Sequence, residues 1–196
     1  MRRVPAIAKG FAPRTIVRVT LLEHLTSEWQ PDLQLLVPAF CPDEVDTHRR
    51  LRQAGLVNVA LLTDSLEIFN DWDGPAVMNE RSCMQEGDVA AVGENMNHAH
   101  VLIRETDQHH TVFLTNRCNS NCLMCSQPPT PQNDSWLIDE ACQVATHMRA
   151  SPALLGFSGG EPLLLGERLR EVLDAFIRRH PATDFDILSN GRLLAS

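Results

Sequence analysis

Between His110 and Leu188 the sequence alternates three short apolar runs with two helical periods, and that alternation restricts the fold more than any other feature. His110 to Thr115 (HTVFLT), Ala153 to Phe157 (ALLGF) and Asp184 to Leu188 (DFDIL) have the length and composition of strands. ALLGF is apolar throughout, the pattern of a strand covered on both faces. After the first run, Asp134 or Ser135 is placed to cap a helix whose Leu137, Ile138, Ala141, Val144, Ala145 and Met148 share one face. After the second, Leu169, Val172, Leu173, Phe176 and Ile177 repeat that spacing, with Pro181 beyond the helix end. Strand–helix–strand–helix–strand with short connections predicts a parallel sheet built from right-handed crossovers.

Residues 1–109 read as a separate, small α/β or α+β region of unassigned role, and residues 110–196 as the second region. Strands are expected over 14–22, 33–40, 57–62, 88–92 and 100–104, and a helix over 42–56 with Pro42 near its start and Gly55 near its end. Residues 64–87 have no clean period and predict loops.

In the second region each strand runs into a polar motif just past its carboxyl end, where parallel α/β folds place ligand sites. The first motif is Cys118-Asn-Ser-Asn-Cys122-Leu-Met-Cys125, a C-x3-C-x2-C arrangement. Three thiolates on one loop suit three irons of a four-iron cluster, leaving one iron open to a small molecule. Zinc competes for the same thiols, and His109 or His110 would have to complete its four-ligand site. Gly159-Gly160-Glu161-Pro162 follows the second strand. Its glycines permit close backbone approach to a ligand, and its carboxylate suits an ammonium group. Taken alone it is also a plain strand-to-helix turn with Pro162 at the helix start. Ser189-Asn190-Gly191 follows the third strand and, alone, is a turn. Cys41, Cys83 and Cys142 are scattered and read as buried small apolar residues. His98 and His100 share a strand face as a metal pair or, more simply, as hydrogen-bonded histidines.

Together, C-x3-C-x2-C, GGEP and SNG after successive strands resemble the radical S-adenosylmethionine (SAM) superfamily. The resemblance implies a partial (β/α) barrel, represented here by an N-terminal part of about three parallel strands. It implies Cys118, Cys122 and Cys125 as ligands of a [4Fe–4S] cluster whose open iron chelates SAM. It further implies that Gly159, Gly160, Glu161 and Pro162 line the methionine amino group, that Met124 packs near adenine, and that Ser189 and Asn190 belong to the cofactor site. The activity implied is reductive cleavage of SAM to a 5′-deoxyadenosyl radical that abstracts a substrate hydrogen. No catalytic acid or base is identified.

The stretch from Leu114 to Pro129, with Phe157 to Leu163 and Leu188 to Arg192, is similar to a narrower family, the radical SAM maturases of the His-Xaa-Ser system. That similarity implies a ribosomally made peptide substrate bearing His-Xaa-Ser repeats, a companion radical SAM protein and an electron donor.

Length bears on the activity. A complete eight-stranded barrel takes ~250 residues, whereas this chain of 196 residues stops just after the third of the predicted parallel strands. The expectation is a C-terminally truncated core that keeps its cluster ligands but lacks later strands. Two alternatives follow, a non-catalytic cluster- or partner-binding protein and a zinc-stabilised structural module. Seventeen basic residues against 25 acidic give a net charge of −8, without the basic excess that nucleic-acid binding requires. No apolar run approaches the ~18 residues of a membrane span, and no secretory signal opens the chain. Neither nucleic acid nor membrane is expected as a partner, and the cytoplasm is the expected compartment.

Overall fold

The computed structural model describes residues 2–94 and 96–194. Its backbone divides into two compact units, Met1–Glu105 with His147–Arg149, and Thr106–Thr146 with Ala150–Ser196.

Seven strands build the first unit: β1 (Arg2–Lys9), β2 (Thr15–Val19), β3 (Leu35–Pro38), β4 (Val59–Thr63), β5 (Ala76–Asn79), β6 (Val89–Val92) and β7 (His98–Ile103). They close into a barrel in the order β1-β5-β4-β3-β2-β6-β7. The ladders among β2, β3, β4 and β5 are parallel, and the other four are antiparallel. Closure pairs every strand on both sides, which removes the exposed edges an open sheet would carry. Side chains alternate across the wall. Val17, Val19, Leu36, Ala60, Leu62, Val77, Ala90, Val92, Ala99 and Val101 belong to one core. On the opposite side of β4, Leu61 packs with Val45, Phe69 and Trp72, while Val59 packs with Leu25, Leu33, Leu35 and Val37. These clusters join the wall to three helices, α1 (Leu25–Glu28), α2 (Pro42–Gln53) and α3 (Leu66–Asp71). Strand β4 is therefore buried on both faces, which is why its sequence is apolar without alternation.

The expected partial (β/α) barrel of parallel strands is overturned. The barrel that forms is closed and mixed, it lies in the first unit, and the parallel strands of the second unit form a separate sheet. Two strands hidden from sequence reading decide this. Strand β1 (RRVPAIAK) interrupts its apolar stretch Val4–Ala8 with Pro5, a residue that argues against a strand, and β5 (AVMN) is only four residues long. Pairing of β1 with both β5 and β7 closes the ring. The expected loop over 64–87 also contains α3, anchored by buried Phe69.

In the second unit, β8 (His109–Phe113), α4 (Trp136–His147), β9 (Leu154–Ser158), α5 (Glu167–Arg179) and β10 (Asp184–Ile187) give a three-stranded sheet of order β10-β9-β8. Both ladders are parallel, with His109 opposite Leu154 and Phe113 opposite Ser158, and with Asp184 also opposite Leu154. Leu155 and Phe157 are fully buried, while Leu154, Gly156 and Ser158 on the other face are half-buried. The apolar run of β9 is thus covered on one face more than the other, contrary to the two-sided expectation.

Helix α4 buries Leu137, Ile138, Ala141, Val144 and Ala145, and α5 buries Leu169, Val172 and Phe176. Ile177, expected on the buried stripe, is half exposed at the end of α5. The Phe157 and Phe176 rings meet edge to face at 5.1 Å, and Phe185 of β10 stacks on Phe157 at 5.8 Å. Each fully buried ring contributes about 2–3 kcal/mol through apolar area removed from water. His180 fastens the end of α5 to α4 through Nε2 at 3.0 Å from the Ala145 carbonyl. No described helix of either unit is long and apolar enough to cross a membrane.

Candidate functional site

Parallel pairing puts the carboxyl ends of β8, β9 and β10 on one edge of the sheet, so the three polar motifs emerge side by side. The ladder between β8 and β9 continues beyond the strands. Leu114 N–H donates to the Ser158 carbonyl at 2.7 Å, Gly160 N–H to Thr115 at 2.6 Å and Glu161 N–H to Arg117 at 2.8 Å. This continuation explains the glycine pair. A Cβ at Gly159 would lie 2.6 Å from the Thr115 carbonyl oxygen, and one at Gly160 would lie 2.2 Å from that of Arg117. In both cases the obstruction is backbone, which cannot swing aside. The close approach the glycines permit is to the chain leading into the cysteine loop, whereas the sequence suggested a ligand there.

Glu161 is fully buried. Its carboxylate accepts from Leu163 N–H at 2.9 Å, from Ser189 Oγ–H at 2.9 Å and from Asn190 N–H at 2.7 Å. A carboxylate expected to meet an ammonium group is occupied inward, tying the second motif to the third. Pro162 is buried at the first position of a short 3-10 turn, Pro162–Leu165, ahead of α5. The third motif reaches in turn to the first. The Asn190 side-chain amide donates to Asn119 Oδ1 at 2.8 Å and lies 3.8 Å from Cys118 Sγ. Arg192 donates to the Asn119 carbonyl at 3.0 Å and to Ser120 Oγ at 3.1 Å.

The cysteine loop is irregular. Cys118 is half-buried, Cys122 and Cys125 are exposed, and every residue from Asn121 to Pro128 is exposed. Met124 and Leu123 stand almost wholly in solvent. Cys125 Sγ–H donates to the Gln127 carbonyl at 2.9 Å. At the base of the loop Asp134 is buried, accepting from Thr115 Oγ1–H at 2.9 Å and from Asn116 N–H, with Arg117 Nε at 3.6 Å. Burial alone would raise the Asp134 pKa, but these hydrogen bonds and the Arg117 charge outweigh it and hold the carboxyl below its usual range. The sequence offered Asp134 as a helix cap, yet its side chain clamps the cysteine loop. Asp134 in that role, Thr115 and Arg192 are the residues that sequence reasoning missed. Nothing in their local pattern marks them, because their partners lie on segments joined only by the fold.

Two cofactor readings can be weighed against this arrangement. A tetrahedral zinc, with Zn–S near ~2.3 Å, brings its sulfurs within about 4 Å of one another. Among the described residues, the three thiols are not all within 4.8 Å of one another. His109 and His110 open β8 at its amino end, four strand steps or roughly 13 Å from the loop at its other end. They stand apart from any site the cysteines make. A cluster in which each thiolate meets a separate iron asks only for three sulfurs on one accessible loop, and this donor set fits it.

Other features expected from sequence fall outside this edge. Of the scattered cysteines, Cys41 is exposed and Cys83 and Cys142 are half-buried, so none is the fully buried apolar residue expected. His98 and His100 hydrogen-bond to each other, Nε2 to Nε2 at 2.8 Å. In the first unit, His24, Glu28 and Glu86 bring ligand-type atoms within 4.8 Å of one another. The Arg149 guanidinium already bridges Glu28 and Glu86 at 2.9 and 2.8 Å and also pairs with Glu105. That group is an ion-pair network in which the cation is supplied by the chain.

Comparison with known proteins finds a similarity to a probable GTP 3′,8-cyclase of Methanocella arvoryzae, 35% identical over 88 residues. The matched stretch is 43% of this chain and 27% of the cyclase, so the chain corresponds to about a quarter of that relative. No family model matches the chain, and no solved structure matches it. The similarity supports a relationship to the radical SAM superfamily and reaches no narrower family.

Proposed function

We propose that the second unit carries the cluster- and cofactor-binding edge of a radical SAM enzyme. Cys118, Cys122 and Cys125 hold a [4Fe–4S] cluster, and the open iron together with the turn after β9 takes SAM. When bound, this pair supplies one-electron cleavage of SAM to methionine and a 5′-deoxyadenosyl radical. The observation that carries the reading is the hydrogen-bonded chain from Glu161 through Asn190 to Cys118, which draws three sequence motifs to one sheet edge.

The protein's own residues have distinct tasks in this reading. Asp134 and the glycine pair fix both the start and the finish of the cysteine loop. Glu161 shapes the turn with its carboxylate directed inward, leaving the half-buried backbone at Gly159 and Gly160 to face a ligand. Met124, exposed beside Cys125, is free to pack on an adenine ring. The finer assignment is to peptide maturation. Its support is the resemblance of residues 114–129 to the His-Xaa-Ser maturases. The substrate is then a peptide with His-Xaa-Ser repeats, modified alongside a companion radical SAM protein and an electron donor.

Anaerobic iron–sulfur reconstitution of the full chain, followed by EPR of the reduced protein with and without SAM, tests the proposal. The expected result is a [4Fe–4S] signal that SAM alters and that replacement of any one of the three cysteines by alanine abolishes. One tightly held zinc and no iron–sulfur signal would overturn it.

A further inference from the structure

The polar side chains around Cys118 have an order that the cluster reading does not itself require. Asn190 is held at its backbone, since its N–H donates to the fully buried Glu161 carboxylate at 2.7 Å. The neighbouring Ser189 hydroxyl donates to the same carboxylate and accepts from Gly191 N–H at 3.0 Å, so the turn is braced on both sides of Asn190. The Asn190 side-chain oxygen accepts from Arg192 N–H at 3.0 Å, which settles the orientation of the amide. Its –NH2 group is thereby turned toward the cysteine loop, donating to Asn119 Oδ1 and standing 3.8 Å from Cys118 Sγ, within hydrogen-bond range for sulfur. The buried end of this arrangement is the Glu161 carboxylate, held by Leu163, Ser189 and Asn190. The exposed end is an amide shared among Asn119 Oδ1 at 2.8 Å, Ser120 Oγ at 3.4 Å and Cys118 Sγ at 3.8 Å.

We propose that Asn190 is a positioning residue that sets the reduction potential at Cys118, with Glu161 as its anchor. The inference rests on the cluster reading above and deepens it. A donor to a ligating sulfur stabilises the extra electron density of the reduced cluster more than the oxidised one. The Asn190 amide makes reduction easier, and of the three cysteines it acts on Cys118.

The test is a potentiometric titration of the reconstituted full chain, with iron and sulfide counted in each sample. Asn190→Ala is expected to retain the cluster and to move its midpoint to a more negative potential. Asn190→Gln, which keeps a primary amide on a longer arm, is expected to lie between Asn190→Ala and the unchanged protein. A fully loaded Asn190→Ala cluster with an unshifted midpoint would refute the inference while leaving the cluster reading intact. If Asn190→Ala fails to load, Asn190→Asp serves instead, because it keeps the shape and exchanges the donor for a charged acceptor. Its midpoint must then fall, and an unchanged value refutes the proposal. Loss of loading in both variants, with circular dichroism unaltered, would also overturn it, Asn190 then serving only the loop's shape. Absence of any cluster in the unchanged protein would remove the cluster reading and this inference together.

Discussion

Replacing Gly160 by alanine probes how the cysteine loop is seated. A Cβ at this position would lie 2.2 Å from the Arg117 carbonyl oxygen and 2.7 Å from the Arg117 carbonyl carbon. Since real Cβ contacts essentially never fall under 3.0 Å, the two backbones must part by at least about 0.8 Å. That movement strains two hydrogen bonds, Gly160 N–H to Thr115 at 2.6 Å and Glu161 N–H to Arg117 at 2.8 Å. Each contributes about 0.5–1.5 kcal/mol net. Overpacking of this kind adds about 1–3 kcal/mol, so the expected destabilisation is of order 2–6 kcal/mol. Gly156 in β9 is the control, because a Cβ there would meet nothing nearer than 3.6 Å. Alanine at Gly156 should be neutral or slightly stabilising, since glycine weakens a strand interior. Hydrogen exchange in increasing urea, read on peptides covering residues 110–117 and 154–162, measures both variants locally. Equal protection in Gly160→Ala and Gly156→Ala would show that the glycine pair is not there for this backbone contact.

Three further outcomes follow from the same geometry. Glu161→Gln exchanges one acceptor oxygen for an NH2 that faces existing donors, at a cost of about 1–3 kcal/mol. It should also loosen residues 188–192 in hydrogen exchange, and unaltered protection there would contradict the anchoring role. Asp134→Ala removes the acceptor for Thr115 and Asn116, so limited proteolysis within residues 117–133 should accelerate, and an unchanged cleavage rate would rule out the clamp. In the first unit, burial pushes the His48 imidazole down from 6.5 to about 4. The folded pKa lies below the unfolded one, so the unfolded chain binds the proton first and stability is lost as pH falls from 6.5 toward 4. At ~1.36 kcal/mol per pKa unit the loss approaches about 3 kcal/mol. Urea unfolding followed through Trp72, 5.9 Å from the His48 ring, should show this acid limb, and His48→Leu should flatten it.

The second unit's elements were legible because their signals are local. Apolar periodicity in α4 and α5 and strand-length runs in β8, β9 and β10 depend on residues a few positions apart. The same locality exposed the three motifs and their order after successive strands. Reading failed where a residue's role depends on a partner far along the chain. Strand β1 holds Pro5, which argues against a strand locally, and it becomes one because β5 and β7 each offer it a ladder. The backbone packing that requires the glycine pair was out of reach for the same cause, since the atoms crowding Gly159 and Gly160 belong to residues 115–117.

By itself, then, the sequence set out the order of the three cysteines and two polar turns after successive strands, and the parallel strand–helix unit that bears them. The tertiary structure alone decided that the first region closes into a mixed barrel and that the Glu161 carboxylate turns inward to hold Asn190. It also set Asn190 beside Cys118 and Asp134 at the base of the loop. Periodicity and propensity act over a turn or a strand, whereas ring closure and buried hydrogen bonds join atoms that only the folded chain brings together.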